Sequence, residues 1–373
     1  MKTKAVLIAA EVNSFDRAET VLEKIGEIKI SGRHIGRMAH ETGGRLLKQQ
    51  RERSEMFQRK KLPVEVENIP HVAVVEMDGG RIRTRAEGQG VGARDPAWRE
   101  SKNALFQRMT SETHETDPCP ELPDFLENRG YVRRLVLEMS GTADRIAALP
   151  EEQPRAAEAV RYEPPKRVLR TCLSSLDDSK SFGKLMAAEA HRKGFFEAPR
   201  RAFVGDGMKC NWTEQKKHFP TFTPIVDLLH AISYLHHAAM AIGGDEDFGW
   251  SLCVDWTRAC WQGRVDGVIG DLEQWLAAQP AIEEETPETD PRRIVGGSLT
   301  YLRNNRVRMD YPSYRMAGLP IGSALMESLV KEINRRVKGT EKFWNDPSGA
   351  NPILALKAAS LCDDGRLEKL LAG

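Results

Sequence analysis

The chain has 373 residues, enough for two or three domains and a sizeable core. Its formal net charge of +1 excludes a global positive excess as an argument for nucleic-acid binding, so local clustering has to carry any such argument. The six cysteines form no CxxC pair, which excludes a zinc ribbon, and their scatter points to a reducing, cytoplasmic setting rather than a disulfide framework.

The opening MKTKAVLIAAE has too short an apolar run for a membrane span, and no clear cleavage site follows it. Ser14 is placed to cap a helix through Ile25, and Ser31 a longer one through about Lys60. Residues 1–65 therefore read as a helical, basic domain, and Lys24 to Lys61 holds eleven Lys/Arg against four Asp/Glu. Its helical pair, the second helix carrying Arg33 and Arg37, reads either as a helix-turn-helix or as a dimerisation hairpin. His71 to Met77 is a valine-rich strand running into Asp78-Gly79-Gly80. Arg81 to Arg85 reads as the next strand of a hairpin, and a third strand is expected near Asn103 to Gln107.

Residues 110–165, rich in proline and acids, read as an insertion. Ser179 to Lys193 has helical periodicity; Arg201 to Gly205 and Thr221 to Val226 are short strands ending at Asp206 and Asp227. A first core segment then spans 66–227, a helical insertion 228–300, a return to the core 301–345, and tail helices 346–373. The acidic stretch 279–291 reads as a loop, and the last strong helix runs from near Ile321-Gly322-Ser323 to about Lys338. This order of elements predicts an α/β fold with a mixed sheet flanked by helices.

Three acids stand out. Asp78 and Asp206 each follow a predicted strand and precede glycine, at strand ends where ligands and metals gather in α/β sheets. Asp-Gly is also the commonest turn pair, so either motif alone favours an ordinary turn. On the late helix, Glu327 shares a face with Lys331, Asn334 and Lys338, with Arg335 within a quarter turn. Met326, Leu329, Val330, Ile333 and Val337 lie on the other side. One carboxylate among cations suits a site where DNA phosphate meets metal; it also suits an exposed face with an i,i+4 Glu–Lys pair. Two or three carboxylates from separate segments suffice to hold two Mg²⁺ ions for phosphodiester chemistry.

Four stretches together resemble a known family. They are Met77-Asp78-Gly79-Gly80-Arg81 with Trp98 to Lys102; Phe203 to Gly207; Ile225 to Ala231; and Tyr301 to Arg306 through Asp310-Tyr311-Pro312 and Gly318 to Ser323 to Glu327-Ser328. The chain resembles bacterial insertion-sequence DDE transposases of the ISKra type over roughly residues 15 to 360. The resemblance implies an RNase H-like core interrupted by a helical insertion, with Asp78, Asp206 and Glu327 binding Mg²⁺ or Mn²⁺ as a pair of ions. It implies cleavage and strand transfer at the DNA ends of a mobile element, a dimer or larger assembly on DNA, and a bacterial cytoplasmic or nucleoid location. DNA contacts are expected from Lys331, Arg335, Arg336, Lys338, Arg33 and Arg37. The Asp227–His230 pair matches a motif beside the active site of related transposases; it reads equally as a core histidine bonded to Asp227. The alternatives to an active transposase are a simple RNase H-like nuclease and a non-catalytic DNA-binding protein descended from a truncated transposase.

Overall fold

The computed structural model describes residues 1–84, 97–139, 163–338, 344 and 347–372, and the side chains of residues 97, 324, 325, 327, 347 and 348 lie outside the description. Among the described residues the strands form one five-stranded mixed sheet in the order β3-β2-β1-β4-β5. β1 (Val72–Thr84) opens with Val72, Ala73, Val74 and Val75, all buried, as a strand covered on both faces must be. β2 (Ala97–Thr110) and β3 (Lys166–Ser175) follow as an antiparallel meander on one side of β1. β4 (Arg200–Gly205) and β5 (Thr223–Val226) lie on its other side, and β4 pairs parallel with both β1 and β5. The predicted mixed α/β class is observed.

The expected break after Asp78 is not. β1 runs straight through Asp78-Gly79-Gly80 and on to Thr84, so Arg81 belongs to the same strand rather than to a hairpin partner, and Arg85 lies outside the described residues. The reason is cross-strand crowding. A Cβ on Gly79 would stand 2.8 Å from Glu100 Oε1, and one on Gly80 2.7 Å from Ser101 Oγ. These glycines give clearance to a continuing ladder rather than a turn; neither has positive φ. Gly207 does turn the chain, with φ +97 after Asp206. β3 escaped the sequence reading because it lies just beyond a segment dominated by prolines and charges.

Helices cover both faces. Along β2, Ala104 and Phe106 join one core while Leu105 between them joins another, as the period of two demands. The first core packs against α5 (Ser179–Arg192), α6 (Lys209–His218), α7 (Leu228–Gly243), α8 (Glu246–Trp261), α9 (Val265–Ala277) and α10 (Pro291–Asn305). These elements include the predicted helical insertion, and residues 279–290 form its acidic loop. α4 (Arg129–Met139) belongs to the segment read as an insertion, of which residues 140–162 lie outside the description. Asp117 ties this segment down by accepting from the buried Arg315 of α11 (Tyr311–Met316) at 2.8 Å.

The second core joins α12 (Ala324–Val337) and α13 (Pro347–Ser360) to the N-terminal helices. α2 (Phe15–Lys24) and α3 (Gly32–Gln58) start where predicted, with Ser14 Oγ accepting from the Arg17 amide and Ser31 Oγ from the His34 amide. The opening segment is itself a helix, α1 (Lys2–Glu11), with Ala5, Val6, Ala9 and Ala10 buried in this core. Residues of these N-terminal helices share a core with the sheet's Ile82, Leu105 and Cys172. α14 (Arg366–Ala372) closes the described chain. Among the described residues, no helix is long and apolar enough to cross a membrane.

Candidate metal and nucleic-acid cleft

β1 and β4 run parallel and in register, with Met77 opposite Gly205. The next residues, Asp78 within β1 and Asp206 just past the end of β4, therefore stand at one level on neighbouring strands, separated by the ordinary strand spacing of about 4.8 Å. Both line a cleft of about 740 Å³. The Asp78 carboxylate accepts from the Gly79 amide at 2.6 Å. Asp206 Oδ1 accepts from the Met208 amide and from Asn211 Nδ2, both at 2.9 Å. Asn211 also donates to the Met77 carbonyl at 3.1 Å, so one side chain braces both strand ends. No hydrogen bond from a described residue reaches Asp206 Oδ2. Burial raises the Asp206 carboxyl above its ordinary value and Asp227 adds to this; the Met208 amide, His230 and Asn211 pull the other way. Behind it, Tyr301 donates its hydroxyl to the Asp206 carbonyl at 2.9 Å and stacks on Tyr234 with ring centres 3.8 Å apart.

Asp227 caps α7 from the end of β5 and is fully buried. Its carboxylate accepts from His230 Nδ1 at 2.6 Å, Ser323 Oγ at 2.7 Å, the Ser323 amide at 3.0 Å and the Leu229 amide at 3.2 Å. The Leu228 amide donates to the Ile321 carbonyl at 2.9 Å. Asp227 therefore pins the returning chain to the sheet just before α12, and it does so while orienting His230 into the cleft. The two readings of this pair merge: it is a buried dyad, and its histidine lines the site. Burial disfavours the imidazolium, but the Asp227 hydrogen bond and charge outweigh it, with Asp206 and Asp78 adding, and lift His230 to about 9. A cation thus stands beside the two aspartates at neutral pH.

α12 forms the opposite wall with Val330, Lys331, Asn334 and Lys338. This is the helical face predicted for Glu327, which lies one turn earlier; its side chain lies outside the described residues. Lys331 Nζ is held at 2.5 Å by Glu138 of α4. Burial, and then Arg81, keep the Lys338 ammonium below its ordinary value at the cleft rim. Arg335 is exposed but does not line the cleft. Arg336 is withdrawn from any DNA surface: it is 2% exposed, donates to the Ala9 carbonyl at 2.7 Å and lies 4.8 Å over the Phe15 ring. Its place in the helical turn points it into the second core, which the wheel drawn from Glu327 did not weigh. Arg33 and Arg37 are exposed on the first turns of α3, with Arg37 2.6 Å from His34 Nδ1, and neither reaches the cleft.

Several site residues were missed from sequence. Trp98 is 51% exposed in the cleft, with the Arg83 guanidinium 5.0 Å from its ring centre. Glu76, two residues before Asp78, is buried and accepts from Gln107. Burial raises its carboxyl well above the usual range, and Asp227 and Asp78 reinforce this despite the Gln107 bond. Period-two alternation along β1 puts Glu76 on the face of Asp78, a signal available in the sequence.

A hard divalent ion suits what the cleft offers. Asp78 and Asp206 give oxygen donors, the kind Mg²⁺ prefers while keeping several waters. Around Gly80, where a Cβ would stand 2.7 Å from Ser101 Oγ, 3.4 Å from Asn103 Nδ2 and 3.6 Å from Asn334 Oδ1, all three polar atoms are buried without a hydrogen-bond partner. Among the described residues, no group of three or more His, Cys, Asp or Glu side chains converges to hold a metal. No family model and no curated protein matches this chain.

Proposed function

We propose that this chain is a DDE-type transposase with an RNase H-like core, cutting DNA at the ends of a mobile element and joining them to a target. One observation carries the reading: Asp78 within β1 and Asp206 at the end of the adjacent parallel β4 stand at the same level and open on one cleft whose far wall is the cationic face of the Glu327 helix. The meander β1-β2-β3, with β4 and β5 added parallel beyond β1, supports the RNase H-like part of it. A pair of Mg²⁺ ions held by Asp78, Asp206 and Glu327 would supply activation of the attacking oxygen and stabilisation of the leaving one.

The chain's own groups have separate tasks. Asn211 and the Met208 amide fix one Asp206 oxygen. The His230 cation offsets the repulsion between the two aspartates. Lys338 and Arg81 receive backbone phosphates, giving salt-dependent affinity. Trp98 offers a stacking face to an unpaired base at the processed end. Pairing two element ends calls for at least a dimer.

The test is a plasmid assay with a linear donor end and Mg²⁺. Joined donor–target product supports the transposase; nicking without joining makes the chain a nuclease; Mg²⁺-independent binding without cutting makes it a DNA-binding protein. Two variants probe recognition. Trp98→Ala is expected to weaken single-strand binding by roughly 1–3 kcal/mol with little effect on duplex affinity. Lys338→Gln is expected to lower the salt dependence of duplex binding by about 0.9 in log–log slope, at every sequence alike. Fluorescence anisotropy across a salt series measures both.

A further inference from the structure

A second cavity, of about 440 Å³, lies away from the carboxylate cleft among α3, the end of α5 and the start of α14. It adjoins Glu65, which precedes β1, and Lys193, which precedes β4, so it sits at the opposite end of these strands from Asp78 and Asp206. From the start of β4 to Asp206 is roughly 20 Å at the usual rise per residue.

Six cations line it: Arg45, Arg53, Arg192, Lys193, Arg366 and Lys369. The acids are fewer. Glu65 and Asp364 line it, and the buried Glu189 lies behind. Those acids are already committed. Glu189 accepts from Arg192 at 2.9 Å and Arg366 at 2.6 Å, Asp364 from Lys193 at 2.7 Å and Arg366 at 2.8 Å, and Glu65 from Arg192 at 2.7 Å. This network fixes three cations in place and still leaves an excess of positive charge.

Two of the three remaining cations, Arg45 and Arg53, sit on α3, and the third, Lys369, on α14. Arg45, Gln49 and Arg53 recur every four residues, so they form one stripe facing the cavity. Among the described residues, neither Arg45 nor Arg53 has a hydrogen-bond or ion-pair partner. Arg53 is half-buried, and burial, then the charge of Arg192, hold its guanidinium below its ordinary value. The charges of Glu189 and Glu65 offset this only in part, and a bound anion would relieve the remaining excess of positive charge. Guanidinium forks match tetrahedral oxyanions bidentately, and Gln49 and Gln50 add amide donors.

We propose that this cavity is a phosphate-binding site, distinct from the carboxylate cleft, that takes one phosphate group on Arg53 and Arg45 against the scaffold of Arg192, Arg366 and Lys193. The phosphate comes either free in solution or as a phosphodiester of nucleic-acid backbone, and the same side chains serve both.

The test uses the full chain. Inorganic phosphate is titrated by calorimetry into the wild type, into R45Q/R53Q and into K48Q/R51Q. The last pair removes equal charge from the same helix but pairs with Glu52 and Asp177. The expected result is saturable binding to the wild type, weakened at least about tenfold in R45Q/R53Q and changed by less than about threefold in K48Q/R51Q. Should R45Q/R53Q fail to fold by circular dichroism, K369Q, an exposed change on α14, serves instead and is expected to weaken phosphate several-fold. A random duplex is then added as competitor: displacement of phosphate assigns the site to nucleic-acid backbone, and failure to displace assigns it to free phosphate. Absence of saturable phosphate binding, or equal loss in both double variants, overturns the proposal. Either result is independent of whether the carboxylate cleft cuts DNA.

Discussion

Asp206→Asn is expected to reduce Mg²⁺-dependent cleavage of DNA ends by about a thousandfold or more, a loss of roughly 4 kcal/mol of transition-state stabilisation. The substitution keeps the size of the side chain. The Asn oxygen can still accept from the Met208 amide and Asn211, so the braced end of β4 survives. What changes is charge, at an oxygen that no described residue occupies. DNA-end affinity in Ca²⁺ should stay within about threefold, because in the proposed reading the phosphates would be met by the cleft-lining Arg81 and Lys338 rather than by the carboxylate. Gel assays of cleavage beside anisotropy of binding separate the two. Cleavage by the variant at wild-type rate would remove Asp206 from the chemistry.

Asp227→Ala is expected to cost about 3–5 kcal/mol of stability, because it strands a buried imidazolium and two donors on Ser323. It also frees the segment that leads into α12, so the cleft wall loosens with the fold. The loss should depend on pH. His230 titrates at about 9 in the folded chain against an ordinary 6.5, so its contribution is complete below pH 6.5 and is lost as pH rises through about 9. Asp227 is lowered below its ordinary 3.8: burial would raise it, but the His230 bond and charge and the Ser323 bonds prevail. Its contribution is therefore present above 3.8 and is lost as pH falls through the depressed value. Urea unfolding of wild type and variant should differ most near about pH 5–6 and least above about pH 9.5. A pH-independent difference would mean that the dyad acts only as an uncharged brace.

What sequence made legible follows from which signals are local. Ser14 and Ser31 cap helices through their own next turn, and both caps are present. The valine run of β1 and the short apolar β4 are intrinsically strand-like, and the acids beside them follow at fixed offsets. The continuation of β1 beyond Gly80 was not legible, because Asp-Gly-Gly favours a turn unless a neighbouring strand presses on the missing side chains; Glu100 and Ser101 do so from across the sheet. The burial of Arg336 likewise depends on α1 and Phe15, far away in sequence. The cations of the second cavity come from α3, α5 and α14, so only folding brings them together.

In the proposed function, the cleft between β1, β4 and α12 would hold divalent ions. The direct measurement is bound Mn²⁺, counted by electron paramagnetic resonance in the presence of duplex DNA ends, for the wild type and for the D78N/D206N double variant. Saturable Mn²⁺ in the wild type and its loss in the folded double variant is the predicted result. Equal Mn²⁺ in both, with DNA bound, would contradict it and leave the cleft a DNA-binding surface without metal chemistry.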